Sequence, residues 1–227
     1  SFPGFQPTVI GDKKYLDGGL YDACPYNELL DYGCDEVIAI RLNGFGIIHP
    51  VRDRSKIRQI FPSEQLGPVM RFDPANSRRN IQMGYYDTLR QLQGLPGRMY
   101  YFSQKADGFA VFAALPDDAI RTVAGPLRVP EELPPRRALF EHILPDIAAE
   151  LRLPKDAGYD DLLLALLEHR AEQLGVGRFR WYTPAELQTI IAEQSPLLPE
   201  EPRRRRLRSR PEEAAELLAA ALPVLGK

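Results

Sequence analysis

The run EVIAIRL, residues 36–42, constrains the fold of this chain more than any other stretch. It is β-branched and nearly all apolar, the pattern of a strand buried on both faces, as in a parallel sheet. Its neighbours extend the reading. Residues 8–17, TVIGDKKYLD, read as two short extended segments about a Gly11-Asp12 turn, a hairpin signal. Pro25 then opens a short helix through Leu29 and Leu30, which Gly33 stops. Strand, strand, helix, strand predicts an α/β fold. At 227 residues, 44% of them hydrophobic, the chain can bury a core as one large domain or as a domain with an appendage.

Further along, NGFGIIHPVRDRS is a loop rich in turn formers and KIRQIF a short strand. QLGPVMRFD reads as irregular or as an edge, since Pro68 cannot donate to a ladder. Ile81, Tyr85, Leu89 and Leu92 recur at helical spacing and predict a helix over 76–93, capped by Asn76 or Ser77. RMYYFSQKADGFAVFAAL resembles two strands about a turn at 105–108. Beyond Pro116 the character changes to helices punctuated by prolines, expected at 117–124, 136–152, 159–174, 184–194 and 211–222. Thr183, Pro184 and Glu186 supply a cap, a first-turn proline and an acid three after the cap. The expected organisation is an α/β portion over 1–115 and a helical region over 116–227. An Arg-rich linker at 203–210 interrupts the latter.

Several classes fall away. A net charge of −2 is not that of an obvious nucleic-acid binder, and no nucleic-acid partner is expected. No apolar run approaches the roughly 18 residues needed to span a bilayer. Cys24 and Cys34 are too few for a disulfide framework or a zinc site and read as free thiols in a reducing, cytoplasmic setting. Asp117-Asp118 and Asp160-Asp161 suit helix first turns better than a metal, and neither a metal nor a cofactor is expected. His49, His142 and His169 are scattered, with solvated or capping roles. Tyr85, Tyr86, Tyr100 and Tyr101 read as core and interface aromatics.

The candidate for chemistry is Asp17, an acid after a strand, followed by Gly18 and Gly19, which let the backbone turn sharply and approach another segment closely. Its surroundings, SFPGFQPTVIGDKKYLDGGLYDACPYNELLDYGCDEVIAIRL, resemble the part of patatin-like phospholipases that carries the catalytic aspartate. There a Pro-Gly stretch leads to a strand, then Asp-Gly-Gly or Asp-Gly-Ala, then a proline, a leucine, Gly-x-Asp and an apolar strand. Pro25, Leu29, Gly33, Asp35 and residues 37–40 match. GYYDTLRQL, 84–92, is similar to the Gly-Tyr-x-Asp helix of bacterial members, so the resemblance spans roughly residues 1–95. It implies a central, mostly parallel sheet flanked by helices, present here in part. It further implies a Ser–Asp dyad acting on phospholipid or related acyl esters, with Asp17 as general base and the two glycines leaving room for the serine and for acyl chains.

The chain departs from that pattern at the nucleophile. Serines stand at 1, 55, 63, 77, 103, 195 and 209, none in Gly-x-Ser-x-Gly, and no Gly-rich oxyanion loop is present. Both precede the aspartate in the family, and the chain opens on SFPGFQPTVI with neither Met nor a signal-peptide pattern. The resemblance therefore implies the C-terminal part of a longer enzyme, inactive alone. The alternatives are a non-catalytic lipid-binding or scaffolding domain of the same fold and an unrelated α/β domain with an Asp-Gly-Gly turn. Arg203, Arg204, Arg205, Arg206, Arg208 and Arg210 are placed to meet anionic headgroups at a membrane surface. The helix after them offers an apolar side with Leu217, Leu218 and Leu222.

Overall fold

The structure, a computed structural model, describes residues 6–42, 44, 46–68, 73–195 and 209–225. It is a mixed α/β chain that divides into two compact units, Ser1–Gln91 and Leu92–Lys227. The division falls ahead of the change of composition at Pro116.

In the first unit, β1 (Thr8–Ile10) and β2 (Lys13–Tyr15) pair antiparallel about Gly11-Asp12, as the turn signal predicts. A 3-10 turn, Gly18–Leu20, leads to α1 (Tyr26–Asp31), which buries Tyr26. β3 (Val37–Ile40) and β4 (Ile57–Ile60) then pair in parallel, Val37 opposite Ile57. The parallel pairing agrees with the apolar run; burial on both faces does not. Val37 and Ala39 are buried, whereas Ile38 and Ile40 are 53% and 63% exposed. β-Branched composition reports strand preference, and the number of layers packed on the strand is a separate, tertiary matter.

α2 (Pro74–Gln93) differs from its sequence reading in a more telling way. Its cap is Asp73, whose Oδ1 accepts the amides of Ala75 (2.9 Å) and Asn76 (3.3 Å), not Asn76 or Ser77. Its buried residues are Met83, Asp87 and Arg90, while Ile81 and Tyr85 are 72% and 60% exposed. The polar stripe, with Asp87 buried in it, is turned toward the preceding backbone because it holds that backbone. Gln91 donates to the Phe61 carbonyl (2.8 Å) and accepts the Phe61 amide (3.0 Å), as a neighbouring strand would. Asp87 accepts the Ser63 amide (2.7 Å), and Asn76 and Asn80 both donate to the Leu66 carbonyl (2.9 and 2.8 Å). Unpaired backbone groups in a half-buried segment cost more than an exposed Ile, so the helix turns its amides inward.

The second unit is built around α7 (Tyr159–Leu174), whose residues 162–168 are all buried. β5 (Tyr101–Phe102) and β6 (Trp181–Tyr182) pair in parallel beside it. The expected second strand, GFAVFA, is instead a helix, α3 (Gly108–Ala113). Asp107 caps it through the Ala110 amide at 2.9 Å, and Phe112 packs into the core. There follow α4 (Asp117–Leu127), α5 (Pro135–Ala138), a π-helical turn at Leu139–Ile143, α6 (Leu144–Glu150), α8 (Pro184–Gln194) and α9 (Arg210–Ala221). The expected bounds of α7 and α8 agree with those observed. The predicted capping box at α8 is present: Thr183 Oγ1 accepts the Glu186 amide (3.1 Å) and Glu186 accepts the Thr183 amide (2.8 Å). α3, α8 and α9 pack on α7, and α9 packs on α4 and α6. The expected apolar side of α9 is therefore core, with Leu218 and Leu222 buried, and does not face a membrane. Among the described residues no helix is long and apolar enough to cross a bilayer.

Candidate functional site

Asp17 follows β2 and opens the 3-10 turn. Its Oδ1 accepts the Gly19 amide at 2.9 Å and its carbonyl accepts the Leu20 amide at 3.1 Å. The residue is exposed. The Asp-Gly-Gly loop is braced by a second loop that the sequence reading treated only as a run of turn formers. The Ile47 amide donates to the Gly19 carbonyl (3.0 Å), and the Ala23 amide to the Ile47 carbonyl (2.6 Å). His49 Nε2 lies 3.0 Å from the Tyr21 carbonyl, with the two rings 5.6 Å apart. Close approach in this loop pair is enforced at Gly46. With φ +151°, a Cβ there would stand 2.5 Å from the Ala23 Cβ and 2.9 Å from the Gly19 oxygen. At Gly18 a Cβ would meet nothing within 4 Å, so the space beside it is open.

α1 is tied to the same loop. Asn27 donates to the Pro50 carbonyl (3.0 Å) and accepts the Arg52 amide (3.0 Å), and Arg52 pairs with Asp31 at 2.6 Å. Tyr26, buried behind, accepts Arg41 at 2.9 Å, and burial raises its phenol above the ordinary value. Gly46 and His49 thus belong to the site, and the signal for them was GFGIIHP, two glycines spaced before a His-Pro pair. Chemically, an exposed carboxylate on a loop clamped at both sides can take a proton from a hydroxyl brought to it.

Four of the described serines have local duties. The Ser55 hydroxyl donates to Asp53 (2.6 Å), Ser103 to the Tyr182 carbonyl (3.3 Å) and Ser195 to the Ile191 carbonyl (2.8 Å), and Ser209 caps α9. His169 lies 3.1 Å from the Gln173 amide nitrogen, which also donates to Glu216 (2.9 Å). His142 is exposed in the π-helical turn. Asp117-Asp118 and Asp160-Asp161 stand in the first turns of α4 and α7 as expected, and both cysteines are free. Tyr100 and Tyr101 are core, while Tyr85 is exposed. Arg203, Arg204, Arg205, Arg206 and Arg208 lie outside the described residues; Arg210 opens α9 and is exposed.

One buried acid of the helical unit escaped notice in the sequence. Glu168, 4% exposed, accepts the amides of Arg98 (2.7 Å), Met99 (3.0 Å) and Tyr100 (3.0 Å) through one oxygen. Gly97, at φ +100°, allows this turn, since a Cβ there would meet the Tyr100 oxygen at 2.6 Å. No family model, no curated protein and no solved structure matches this chain.

Proposed function

We propose that this chain supplies the general base of a patatin-like acyl hydrolase acting on phospholipid or related acyl esters. The observation that carries the reading is the Asp17 loop: an exposed carboxylate, fixed by the Gly19 amide, on a turn braced at Gly46, with open space beside Gly18. Parallel pairing of β3 with β4 after a short helix supports the same sheet type. In this reading a serine in a Gly-x-Ser-x-Gly turn, supplied from outside these 227 residues, approaches Asp17. The carboxylate takes its proton as the acyl-serine forms, then activates water to release the acid. The location that goes with this chemistry is cytoplasmic, with peripheral membrane contact.

The test is hydrolysis of a short-chain p-nitrophenyl ester. These 227 residues alone should be inactive, and a polypeptide that adds the serine-bearing segment should be active. Asp17→Asn in that longer protein should lower kcat by about 10²–10⁴-fold, the usual worth of a positioned base. Near-normal turnover by the Asn variant would sink the assignment. A second reading, a non-catalytic lipid-binding or scaffolding domain, is favoured by one observation: Asp17 already has a structural duty as cap of the 3-10 turn. An inactive longer protein that still binds lipid vesicles would select it.

The arginine run gives the membrane contact in this reading, because cations near an anionic surface contribute about 1 kcal/mol each. Sedimentation with anionic vesicles should therefore fall when the six arginines become Gln, and fall with salt for the native sequence. Equal sedimentation of both would remove the run from the function.

A further inference from the structure

In the helical unit a groove of about 700 Å³ lies along α8 and α9, a size suited to a small-molecule ligand. Its lining is chiefly carbon. Ile191 and Leu222 are buried within it, Ala192 and Ala220 form its rim, and Val224 remains 69% exposed beside them. The wall is held in place by Gln188, which donates to the Pro223 carbonyl (2.9 Å) and accepts the Leu225 amide (2.7 Å).

Arg170 of α7 also lines the groove, and its bonding is unusual for a half-buried cation. One terminal nitrogen donates to the Gln173 side-chain oxygen at 3.0 Å and the other to the Ser195 hydroxyl at a long 3.4 Å. Both acceptors are neutral, and among the described residues no carboxylate lies within ion-pair distance of Arg170. A guanidinium offers five N–H donors in a fork that matches a carboxylate, so the site has unused capacity for an anion. Glu193 lines the groove too, which disfavours a doubly charged headgroup.

We propose that this groove binds an unbranched aliphatic carboxylate. The chain lies along Ile191, Leu222 and Val224, and the carboxylate takes the Arg170 N–H groups that Gln173 and Ser195 leave unused. The assignment stands apart from the chemistry proposed at Asp17, since none of its residues is used there.

The experiment is calorimetric titration of the full 227-residue chain with laurate below its micellar concentration, with dodecanol as the uncharged comparison. The native protein should bind laurate and bind dodecanol at least about tenfold more weakly, because a charge-assisted hydrogen bond contributes about 1.5–3 kcal/mol. Arg170→Gln should lose about the same factor for laurate and leave dodecanol unchanged. Ala192→Trp, at an exposed rim position, should abolish binding of both while leaving thermal unfolding unaltered. That variant keeps the test decisive if Arg170→Gln proves unstable. No laurate binding to the native protein, equal binding of laurate and dodecanol, or laurate binding indifferent to both substitutions would overturn the proposal.

Discussion

At the scale of single residues, removing the Glu168 carboxylate would leave three backbone amides, of Arg98, Met99 and Tyr100, without their acceptor inside the helical unit. Each orphaned buried donor costs about 1–3 kcal/mol. Glu168→Ala should therefore lower the stability of this unit by several kcal/mol in urea unfolding, while Glu168→Gln, which keeps a carbonyl acceptor, should lose much less. Equal losses would show that packing, not the amides, is what Glu168 serves. The role was legible in principle: Leu164 and Ala165 precede it, and Ala171 follows it, at helical spacing, so an acid among them had to be buried and bonded. Tyr100 gives a second test. Burial, then the neighbouring Tyr182, Glu172 and Glu168, raise its phenol well above the ordinary value, and burial raises Tyr182 likewise. Above about pH 10 the unfolded chain loses these protons while the folded one keeps them, so the stability they provide is full below that pH and falls as pH rises through the raised values. Tyr100→Phe should flatten the alkaline fall in melting temperature. It should also cost about 1 kcal/mol at neutral pH, because the Tyr100 hydroxyl donates to the Val176 carbonyl at 2.9 Å.

Among the elements, those read correctly from sequence are governed by their own residues. The β1–β2 turn needs only Gly11-Asp12, and α8 needs only Thr183, Pro184 and Glu186; Thr183→Ala should cost about 1 kcal/mol in thermal or chemical unfolding. The elements misread are governed by distant ones. α2 presents apolar residues at helical spacing, yet its polar side chains Asp87, Gln91 and Asn80 are spent on the backbone of residues 61–66, which periodicity cannot register. The consequence is an inverted mutational profile. Ile81→Ser should change stability by no more than about 0.5 kcal/mol, the range for exposed sites. Asp87→Ala should be strongly destabilising, since it removes a buried carboxylate that both Arg90 and the Ser63 amide donate to. A larger loss for Ile81→Ser than for Asp87→Ala would restore the apolar face as the packed one. α3 failed for a related reason: GFAVFA has strand-like composition, and the Asp107 cap together with the burial of Phe112 decides for helix. At the candidate site, Asp17 and its glycines were visible as a motif, whereas the bracing loop at Gly46 and His49 lies some thirty residues on and is joined to it only by the fold.

For the whole molecule, the two units differ in how well they cover apolar surface. The helical unit closes around α7 and its cluster and leaves Phe109, Tyr159 and Val224 exposed, while the first unit leaves Ile38 and Ile40 exposed along one strand and Ile81 and Tyr85 along one helix. A two-stranded parallel sheet with an open apolar face invites intermolecular pairing. The chain should therefore scatter light increasingly with concentration, and Ile38→Thr with Ile40→Thr should suppress that without lowering the melting temperature. Unfolding should also occur in two steps, since each unit has its own interior. A single cooperative transition of a non-associating monomer would contradict both expectations.

The π-helical turn between α5 and α6 has a consequence of its own. The Leu144 amide reaches back to the Leu139 carbonyl, so one turn holds a residue more than an α-turn would, and the buried pairs Ala138–Leu139 and Ile143–Leu144 sit five positions apart. That surplus residue is a spare: excising the exposed His142 would convert the turn to ordinary α-helix and leave the residues on either side pointing as they do now. A one-residue deletion should be tolerated there to within a few degrees of melting temperature, whereas the same deletion at Leu166 in α7 should abolish folding. This stretch is where the chain can change length without changing shape.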